Sequence, residues 1–379
     1  MKILHLFSNH KPTGPAEPAV RLAAGLAERG HDVTFAHAPP KEHDAGYMDS
    51  VVADHGLDAT EQFDLPKHFR PLTQWRDARR LARFYDEHKF DVVHCHMVND
   101  HLTAALARRR SSHRPLIART NHEAVPLGRH LRALFLIPGS TDILFELSHA
   151  ALEGDVRTFN IPEERALRVD TAIELSRFDP DRELPDMRAK WGLSPDAFVV
   201  GIAARIQRRR RFDVLLDAAA ILRERVPNFR LAIIGRGTHK QSAAVTPAHK
   251  RGLDDIVVFP GYLRGDEYVG GLRALDVKVF LVPGTDGSCR AAREAMALGR
   301  PLVVSRRGML PELVSDGRDG LVVEDTPENL AWAIARLAED PTLREEMGRE
   351  ARRTALERFD PVQLAEQVEQ AYEDALARS

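Results

Sequence analysis

Two carboxylates stand on either side of a short turn in the segment that runs from Gly284 to Pro301. Asp286 comes before the turn, and Glu294 lies about two turns inside the helix predicted over residues 291–298. A helix that begins at the carboxyl end of a parallel strand offers free N–H groups and the positive end of its dipole, which suits a diphosphate. The candidates for that contact are Gly287, Ser288 as the N-cap, Cys289, Arg290 and Ala291.

The same two carboxylates could bind opposite ends of one extended ligand. At 1.5 Å per helical residue, Asp286 and Glu294 are at most roughly 12 Å apart. Carboxylates accept hydrogen bonds from hydroxyl groups well, so one could bind sugar hydroxyls and the other ribose hydroxyls. The alternative is an ordinary surface loop followed by a helix with one solvated glutamate.

The chain is long enough for two domains of ordinary size. It has 379 residues, 43% hydrophobic and 29% charged, with a formal net charge of −2. This balance provides no global field that would draw the whole protein onto nucleic acid, and no nucleic acid partner is expected. Cys95 and Cys289 have no ligand-like spacing, which favours a reducing cytoplasm over a disulfide framework. No apolar stretch reaches the roughly 18–20 residues that a bilayer span needs.

Strand-like and helix-like segments alternate through both halves of the chain. The predicted strands of the first half are 3–7, 32–36, 91–96 and 115–120. Those of the second half are 198–203, 230–235, 256–259, 277–281, 301–304 and 321–323. Two successive series of this kind predict two doubly wound domains of the α/β class, each with a parallel sheet. We place the domains at 1–178 and 179–358, with one amphipathic helix in the tail 359–379.

The segment after Gly284 resembles the acidic motif of the retaining GT-B glycosyltransferases of family 4, usually Glu-Gly-Phe-Gly before a helix with a second glutamate. Asp286 stands at the first glutamate, Ser288-Cys289 replace Phe-Gly, and Glu294 matches the second. Other matches span nearly the whole chain. The resemblance implies a GT-B fold, with two Rossmann-like domains facing a cleft. It implies that the first domain takes the acceptor, the second takes the nucleotide-sugar donor, and the last helix crosses back to the first.

Two arginines match the family residues that bind the donor diphosphate. Arg205 stands at the family's arginine, and Arg210 falls where the family has a lysine. Two cations can neutralise the charge that develops on a departing nucleoside diphosphate. Arginine adds a bidentate geometry that lysine lacks. We interpret the neighbouring Arg208, Arg209 and Arg211 as a solvated turn.

The resemblance also marks the nucleotide cleft. Gly235 belongs to a Gly-x-Gly that follows a strand. Tyr262 or Leu263 stands where family members hold the nucleobase, largely through backbone groups. The alternative for Tyr262 is a place in the core.

The first half matches the family at two further positions. Gly14 remains from the family's Gly-Gly-x-Glu loop, whose second glycine is Pro15 here. His122 matches a histidine that touches the donor sugar close to the reacting centre. His94 and His96 alternate on one strand face; structural roles are favoured over a metal pair, because no third ligand is evident. We therefore expect no metal site.

The resemblance implies a metal-independent hexosyltransferase of the retaining type. Its co-substrate would be a nucleoside-diphosphate sugar of UDP or GDP type, with no other cofactor. The acceptor would be a cell-envelope glycan, a glycolipid or a small molecule. Two alternatives stay open: a sugar-nucleotide epimerase of the same architecture, and an inactive donor-binding homologue, since Asp286, Pro15 and Thr171 depart from the family pattern.

A basic helix in the first domain has two interpretations. Arg76, Arg79, Arg80 and Arg83 share it with Trp75. Family members that act on lipid acceptors dock such surfaces on anionic membranes. The alternative is a solvated helix face. We expect a cytoplasmic protein, with peripheral contact to the inner face of the membrane as the second interpretation.

Overall fold

The computed structural model describes residues 1–40, 48–283 and 288–378. Their contacts divide the chain into two compact units. The first unit comprises residues 1–172, Ser288 and 361–378, and the second comprises 173–283 and 289–360. In the structure the main chain therefore passes from the first unit to the second after Ala172, and it returns to the first unit after Asp360. The sequence predicts these boundaries after residues 178 and 358.

The first unit is built on a parallel sheet in the order β3-β2-β1-β4-β5-β6-β7. Its strands are β1 (Lys2–Phe7), β2 (Asp32–His37), β3 (Asp58–Thr60), β4 (Val92–Cys95), β5 (Leu116–Asn121), β6 (Ile143–Glu146) and β7 (Ala166–Arg168). Its helices are α1 (Ala16–Glu28), α2 (Met48–Ala53), α3 (Pro71–His88), α4 (Val98–Arg108), α5 (Leu131–Ser140) and α6 (His149–Phe159), with α15 (Pro361–Arg378) from the end of the chain.

The second unit repeats the same arrangement, in the order β10-β9-β8-β11-β12-β13. Its strands are β8 (Phe198–Ala203), β9 (Phe229–Ile234), β10 (Val257–Gly261), β11 (Val277–Phe280), β12 (Leu302–Ser305) and β13 (Gly320–Val323). Its helices are α7 (Met187–Lys190), α8 (Phe212–Arg225), α9 (Thr246–Lys250), α10 (Gly265–Arg273), α11 (Arg290–Ala297), α12 (Leu310–Leu313), α13 (Pro327–Glu339) and α14 (Pro341–Arg358). Short irregular turns occupy Glu163–Arg165, Arg208–Arg210 and Gln241–Val245.

Both sheets have helices on their two faces, which explains the composition of the strands. All six residues of β8 are buried, and five of the six in β1 are buried. Strands that are covered on both faces read as continuous apolar runs, not as alternating ones. Each sheet reverses its strand order beside its first strand, between β1 and β4 and between β8 and β11. Ligands of doubly wound sheets bind at the carboxyl ends of the strands near this reversal.

The ten strands predicted from the sequence are confirmed, within one or two residues at their ends. Three strands of the first unit, β3, β6 and β7, were not predicted. β3 and β7 have only three residues each, too few for a periodic pattern, and β3 lies at an edge with two of its three residues exposed.

The last helix packs on the first unit. It lies against α1, where a Cβ added at Gly25 would be 3.1 Å from Cβ of Ala365. Arg29 pairs with Glu366 at 2.8 Å and also contacts Glu369, whose other oxygen is 2.9 Å from His31 Nε2. None of the described helices is long and apolar enough to cross a membrane.

Candidate functional site

A cavity of about 1020 Å³ opens at the carboxyl edge of the second sheet. Its walls come from the segments that follow β8, β9 and β10, and from the first turns of α11. These segments surround the reversal of strand order, where a doubly wound sheet binds its ligand. The lining residues include Arg177, Ala203–Arg205, Ile234–Thr238, Tyr262–Gly265, Tyr268, Arg290, Ala291 and Glu294.

Two glycines shape the floor of this cavity. Gly235 has φ +141°, and a Cβ there would lie 2.1 Å from the carbonyl oxygen of Ala204. A Cβ at Gly237 would lie 2.0 Å from the carbonyl oxygen of Ile206. The Gly-x-Gly after β9 is therefore required by the close approach of the chain after β8.

The cavity has a surplus of positive charge among its described residues. Arg177, Arg205, Arg236, Arg264 and Arg290 line it, against the single carboxylate of Glu294. The surplus suits a ligand that carries two or more negative charges, such as a diphosphate.

Arg205 is the arginine least constrained by the protein. Its side chain is exposed and, within the part of the chain that the structure describes, makes no hydrogen bond or ion pair. The residue follows β8, and the main chain on either side of it is fixed: Ala204 N–H donates to Ile234 and Ile206 N–H donates to Arg236, each at 3.0 Å. A cation on a fixed backbone, without a protein partner, is ready to receive an anion.

Glu294 is held by two neighbours. Only 1% of its side chain is exposed, and its carboxylate accepts hydrogen bonds from Arg290 Nε at 2.7 Å and from the Tyr268 hydroxyl at 2.5 Å. Burial, and then the negative charge of Glu294, raise the pKa of Tyr268 well above its usual range, so the phenol stays a donor. Sequence reasoning missed Tyr268, because nothing in its neighbourhood on α10 links it to a carboxylate 26 residues later.

A buried lysine lies beneath this pair. Lys278 sits on the central strand β11 and is fully buried. Burial lowers its pKa to about 7, while the charge of Glu294 acts in the opposite direction. Its Nζ has no hydrogen-bond partner among the described residues. From the sequence, Lys278 is predicted only as part of the strand 277–281.

Tyr262 stands at the mouth of the cavity, so the alternative of a core position is wrong. Its side chain is 52% exposed. The guanidinium groups of Arg236 and Arg264 lie 4.2 Å and 5.2 Å from the centre of its ring. Leu263 lines the cavity beside it. The two guanidinium groups hold the ring in place beside the cavity by cation–π attraction.

The start of α11 differs from the predicted one. The helix begins at Arg290, and its N-cap is Cys289, in the left-handed region at φ +47°. Ser288 is therefore one residue too early to be the N-cap, because the backbone turns at Cys289 before it enters the helix. Ser288 and Cys289 are both buried, and Ala291 lines the cavity. Asp286 and Gly287 lie outside the described residues.

Arg210 is not among the residues that line the cavity. It ends the short turn Arg208–Arg210, and its Nη1 donates to the carbonyl oxygen of Val282 at 2.7 Å. Val282 follows β11, two residues before Gly284. In this structure Arg210 therefore supports the chain that leads into the acidic segment.

The remaining candidates belong to the first unit. His122 follows β5 directly, at the carboxyl edge of the first sheet, and is buried. Its Nε2 is 3.1 Å from Nδ1 of His96. Gly14 is exposed in the turn that leads into α1, where Pro15 is the N-cap.

The interpretation that His94 and His96 have no third partner is wrong. His5 on β1 lies directly opposite His94 in the register of the sheet. Ligand nitrogens of His5, His94 and His96 all lie within 4.8 Å of one another. The sequence could not show this, because His5 is about 90 residues from the other two.

Two family models match successive parts of the chain. Residues 14–177 match the model described as Glycosyltransferase Family 4, and residues 184–354 match that of Glycosyl transferases group 1. The D-inositol 3-phosphate glycosyltransferase of Saccharomonospora viridis is 28% identical, with 94% of this chain and 88% of the relative aligned. The GDP-mannose-dependent alpha-(1-6)-phosphatidylinositol monomannoside mannosyltransferase of Mycolicibacterium smegmatis is 29% identical, over 74% of this chain and 76% of the relative.

Solved structures share the fold over the whole chain. The glycosyltransferase from Rickettsia africae superposes with a TM-score of 0.84 at 15% identity, covering 100% of this chain and 99% of that one. Anabaena HepE in complex with UDP gives a TM-score of 0.79 at 20% identity, covering 99% and 100%. With two parallel-sheet α/β units and both family models, the chain belongs to the GT-B glycosyltransferases of group 1 and family 4, enzymes that transfer sugars.

Proposed function

We propose that this glycosyltransferase takes its sugar from a nucleoside diphosphate, and that it retains the configuration at the transferred carbon. One observation carries the proposal: the arginine-lined cavity at the carboxyl edge of the second sheet, with the buried carboxylate of Glu294. Arg205 would bind the diphosphate, Glu294 the ribose hydroxyls, and the backbone around Tyr262 and Leu263 the base.

Glu294 can bind ribose only if its present partners allow it. Arg290 and Tyr268 each donate to a different carboxylate oxygen. Each oxygen of a carboxylate accepts about two hydrogen bonds, so one acceptor position on each remains for ribose hydroxyls. The two partners also hold the carboxylate in one orientation, which lowers the entropy lost on binding.

In the proposed reaction one bond forms and one bond breaks at the anomeric carbon. The bond from this carbon to the phosphate oxygen breaks as the acceptor oxygen attaches on the same face. The acceptor's proton passes to the departing phosphate oxygen. Arginine cations stabilise the charge on that phosphate, the task a divalent cation performs in metal-dependent transferases. Because the leaving group takes the proton, this route needs neither a covalent nucleophile nor a separate base from the protein.

The nucleobase of the donor and the identity of the acceptor are the first properties to test. One relative is named for GDP-mannose and another for D-inositol 3-phosphate. Both donor classes and a phosphorylated polyol therefore belong in the first panel, beside cell-envelope glycans and glycolipids.

The test is incubation of the protein with labelled UDP-, GDP- and ADP-sugars, with and without acceptors. We expect acceptor-dependent release of one nucleoside diphosphate, and a product whose anomeric configuration by NMR equals that of the donor. An inverted product refutes retention. An epimerised free sugar supports the epimerase alternative, and binding without turnover supports the inactive homologue.

We further propose that the first unit docks on anionic membrane surfaces. An apolar patch, formed by Phe69, Leu72 and Trp75 around the start of α3 and by Leu131 at the start of α5, is exposed to solvent. Leu72 is 80% exposed and Leu131 is 87% exposed. The Arg132 guanidinium stacks 3.8 Å from the centre of the Phe69 ring, which joins the two parts of the patch.

Basic side chains accompany this apolar patch. On α3 the apolar residues Leu81 and Phe84 are buried, whereas its arginines point to solvent. These exposed arginines are Arg76, Arg79, Arg80 and Arg83. Apolar side chains that insert among lipids, with cations beside them, favour anionic bilayers over neutral ones.

Vesicle sedimentation tests the docking. We expect binding to phosphatidylglycerol vesicles and little binding to phosphatidylcholine vesicles. Leu72→Ser and Leu131→Ser should each weaken it about tenfold, since each loses the burial of one leucine. Trp332→Ser is the matched control, because Trp332 is a half-exposed tryptophan of the second unit with Arg336 beside it. Equal binding by all variants would refute the patch.

A further inference from the structure

Three imidazoles form a hydrogen-bonded chain that ends at the candidate His122. His5 Nδ1 lies 2.9 Å from His96 Nε2, and His96 Nδ1 lies 3.1 Å from His122 Nε2. The three residues come from β1, from the end of β4 and from the end of β5, and all are buried. The chain runs from the interior of the first sheet to its carboxyl edge.

Burial favours the neutral form of all three rings. Burial lowers the pKa of His5 and of His122 to about 3, and that of His96 well below its usual range. The positive charge of Arg119 acts in the same direction on His96 and His122. A neutral imidazole has one N–H and one lone pair, so each contact in the chain has one donor and one acceptor.

The hydrogen bonds of such a chain can be donated in only two directions. Either every ring donates towards His122, which leaves an N–H on His122 Nδ1 and a lone pair on His5 Nε2, or the reverse. Neither of these terminal nitrogens has a hydrogen-bond partner among the described residues. His5 Nε2 is the inner end, and its ring stacks on Phe35 with centroids 6.0 Å apart and planes at 9°. Both nitrogens are buried, so either direction leaves one N–H unpaired in the free protein. Only His122 lies at the carboxyl edge of the sheet, where a bound ligand can accept that hydrogen bond, whereas an N–H at His5 Nε2 would stay unpaired, which favours the lone pair at His5.

A neighbouring histidine keeps the rings in place without fixing the direction. His94 stacks on His5 and His96, with ring centroids 5.2 Å and 4.5 Å away. Its own nitrogens contact the hydroxyls of Tyr372 at 2.5 Å and Thr120 at 2.7 Å. A hydroxyl can donate or accept, so His94 is satisfied in either tautomer.

The same geometry argues against a metal ion shared by His5, His94 and His96. Their rings lie nearly parallel, at 14° to 28° to one another. Ring nitrogens bind metals in the plane of the ring, so nearly parallel stacked rings direct their lone pairs side by side and not to one point. A metal would also have to displace the 2.9 Å contact between His5 and His96.

We propose that His5 and His96 are positioning residues that hold His122 as its Nδ1–H tautomer, so that His122 donates a hydrogen bond to an oxygen of the bound ligand. The tautomer is a property of the free protein and does not depend on the proposed function. The ligand does depend on it: within that function the accepting oxygen belongs to a substrate of the transfer. Orientation of one histidine by another group's hydrogen bond is a general way to fix which nitrogen presents the proton.

The first experiment reads the tautomers directly. Long-range ¹H–¹⁵N correlation of histidine-labelled protein, without ligand, should show Nδ1–H at His122 and at His96. Signals are assigned by their loss in His122→Gln and His96→Asn. An Nε2–H tautomer or an imidazolium at His122 overturns the proposal. The proposal is also overturned if elemental analysis finds one equivalent of bound zinc and this zinc alters the His5 and His96 signals.

The second experiment separates positioning from structural support. In His96→Asn the side-chain amide can replace Nδ1–H as a donor, whereas His96→Leu offers none. We expect His96→Leu to lower kcat about tenfold, which is the effect of one misdirected hydrogen bond. His96→Asn should keep most of the wild-type kcat. Nucleoside diphosphate affinity should stay unchanged in both, because its candidate cavity lies in the second unit.

A matched control is His101→Asn. His101 is also buried in the first unit and contacts Thr141 at 2.9 Å, outside the imidazole chain. It should leave kcat and the tautomers unchanged. Equal loss of kcat in His96→Leu and His96→Asn, with the His122 tautomer unaltered, would overturn the proposal. If the protein transfers no sugar at all, the proposed function fails, and the tautomer measurement still decides this inference.

Discussion

Replacing Arg205 by alanine should weaken nucleoside diphosphate binding while leaving the free protein as stable as before. The Arg205 side chain is exposed and has no hydrogen bond or ion pair among the described residues, so its loss should change the free energy of unfolding by no more than about 0.5 kcal/mol. A hydrogen bond to a charged group contributes about 1.5–3 kcal/mol. The dissociation constant should therefore rise about 10- to 150-fold.

Calorimetric titration with the diphosphate that binds best among UDP, GDP and ADP measures this change. Thermal unfolding provides a second reading, because a saturating ligand that binds only the folded protein stabilises it in proportion to its affinity. The melting temperature without nucleotide should match that of the wild type, and the nucleotide-induced rise should shrink. Turnover of the donor should fall at least as much as the affinity.

Arg208→Ala is the matched control for Arg205→Ala. Arg208 is an exposed arginine three residues later that does not line the cavity. It should bind nucleotide like the wild type, apart from a small effect of the lost charge. Equal effects of the two substitutions would refute a specific contact at Arg205 and leave only a general electrostatic one. A large fall in the melting temperature of free Arg205→Ala would refute the claim that its side chain lacks a protein partner.

Three further predictions concern the support of the same cavity. Tyr268→Phe removes the hydroxyl that donates a hydrogen bond to Glu294 at 2.5 Å, and it should lower nucleotide affinity about 3- to 10-fold in a binding titration. Unchanged affinity would show that the carboxylate does not need this hydrogen bond. Gly235→Ala should lower the free energy of unfolding, measured in urea, by about 2 kcal/mol or more, because the added Cβ would lie 2.1 Å from a carbonyl oxygen. The loss should exceed that of Gly252→Ala, where φ is also positive, at +67°, but the added Cβ would meet no other atom within 4 Å. Lys278→Met should stabilise the protein, and most strongly at or below pH 7. Burial lowers the pKa of Lys278 from 10.5 to about 7, so between those values the unfolded chain binds more protons and the wild type gains stability as the pH rises. The two proteins should therefore converge from about pH 7 to 10.5 in unfolding experiments, and a constant difference would contradict the assignment.

Much of the fold followed from local pattern. Apolar runs such as Phe198–Ala203 and Leu302–Ser305 fill strands that are covered on both faces, and their ends fall within one or two residues of the prediction. The pattern fails for the three-residue strands β3 and β7, where no period can be recognised, and it also misses the four-residue strand β6. It also places the N-cap of α11 one residue early, because a left-handed turn at Cys289 has no local sequence signal stronger than the serine before it.

The cavity was predicted in part, through residues that follow strands. Arg205 and Gly235 were recognised by their resemblance to family motifs, and Glu294 by its place inside a helix start and by the same resemblance; the structure brings all three to one cavity. Arg210 was recognised by the same resemblance, yet its guanidinium contacts the Val282 carbonyl outside the lining residues. Spacing determines where a Cα lies along an element, whereas the direction of a long side chain depends on its neighbours.

The sequence alone therefore determined the two βα series and the carboxyl edges at which a charged ligand can bind, because strand and helix periodicities are local properties. Only the tertiary structure decided which side chains support those edges. Tyr268 reaches Glu294 across 26 positions, and His5 reaches His96 across 91. Parallel sheets place strands that are distant in the chain side by side, so such partners are set by strand order and register, which no short pattern records.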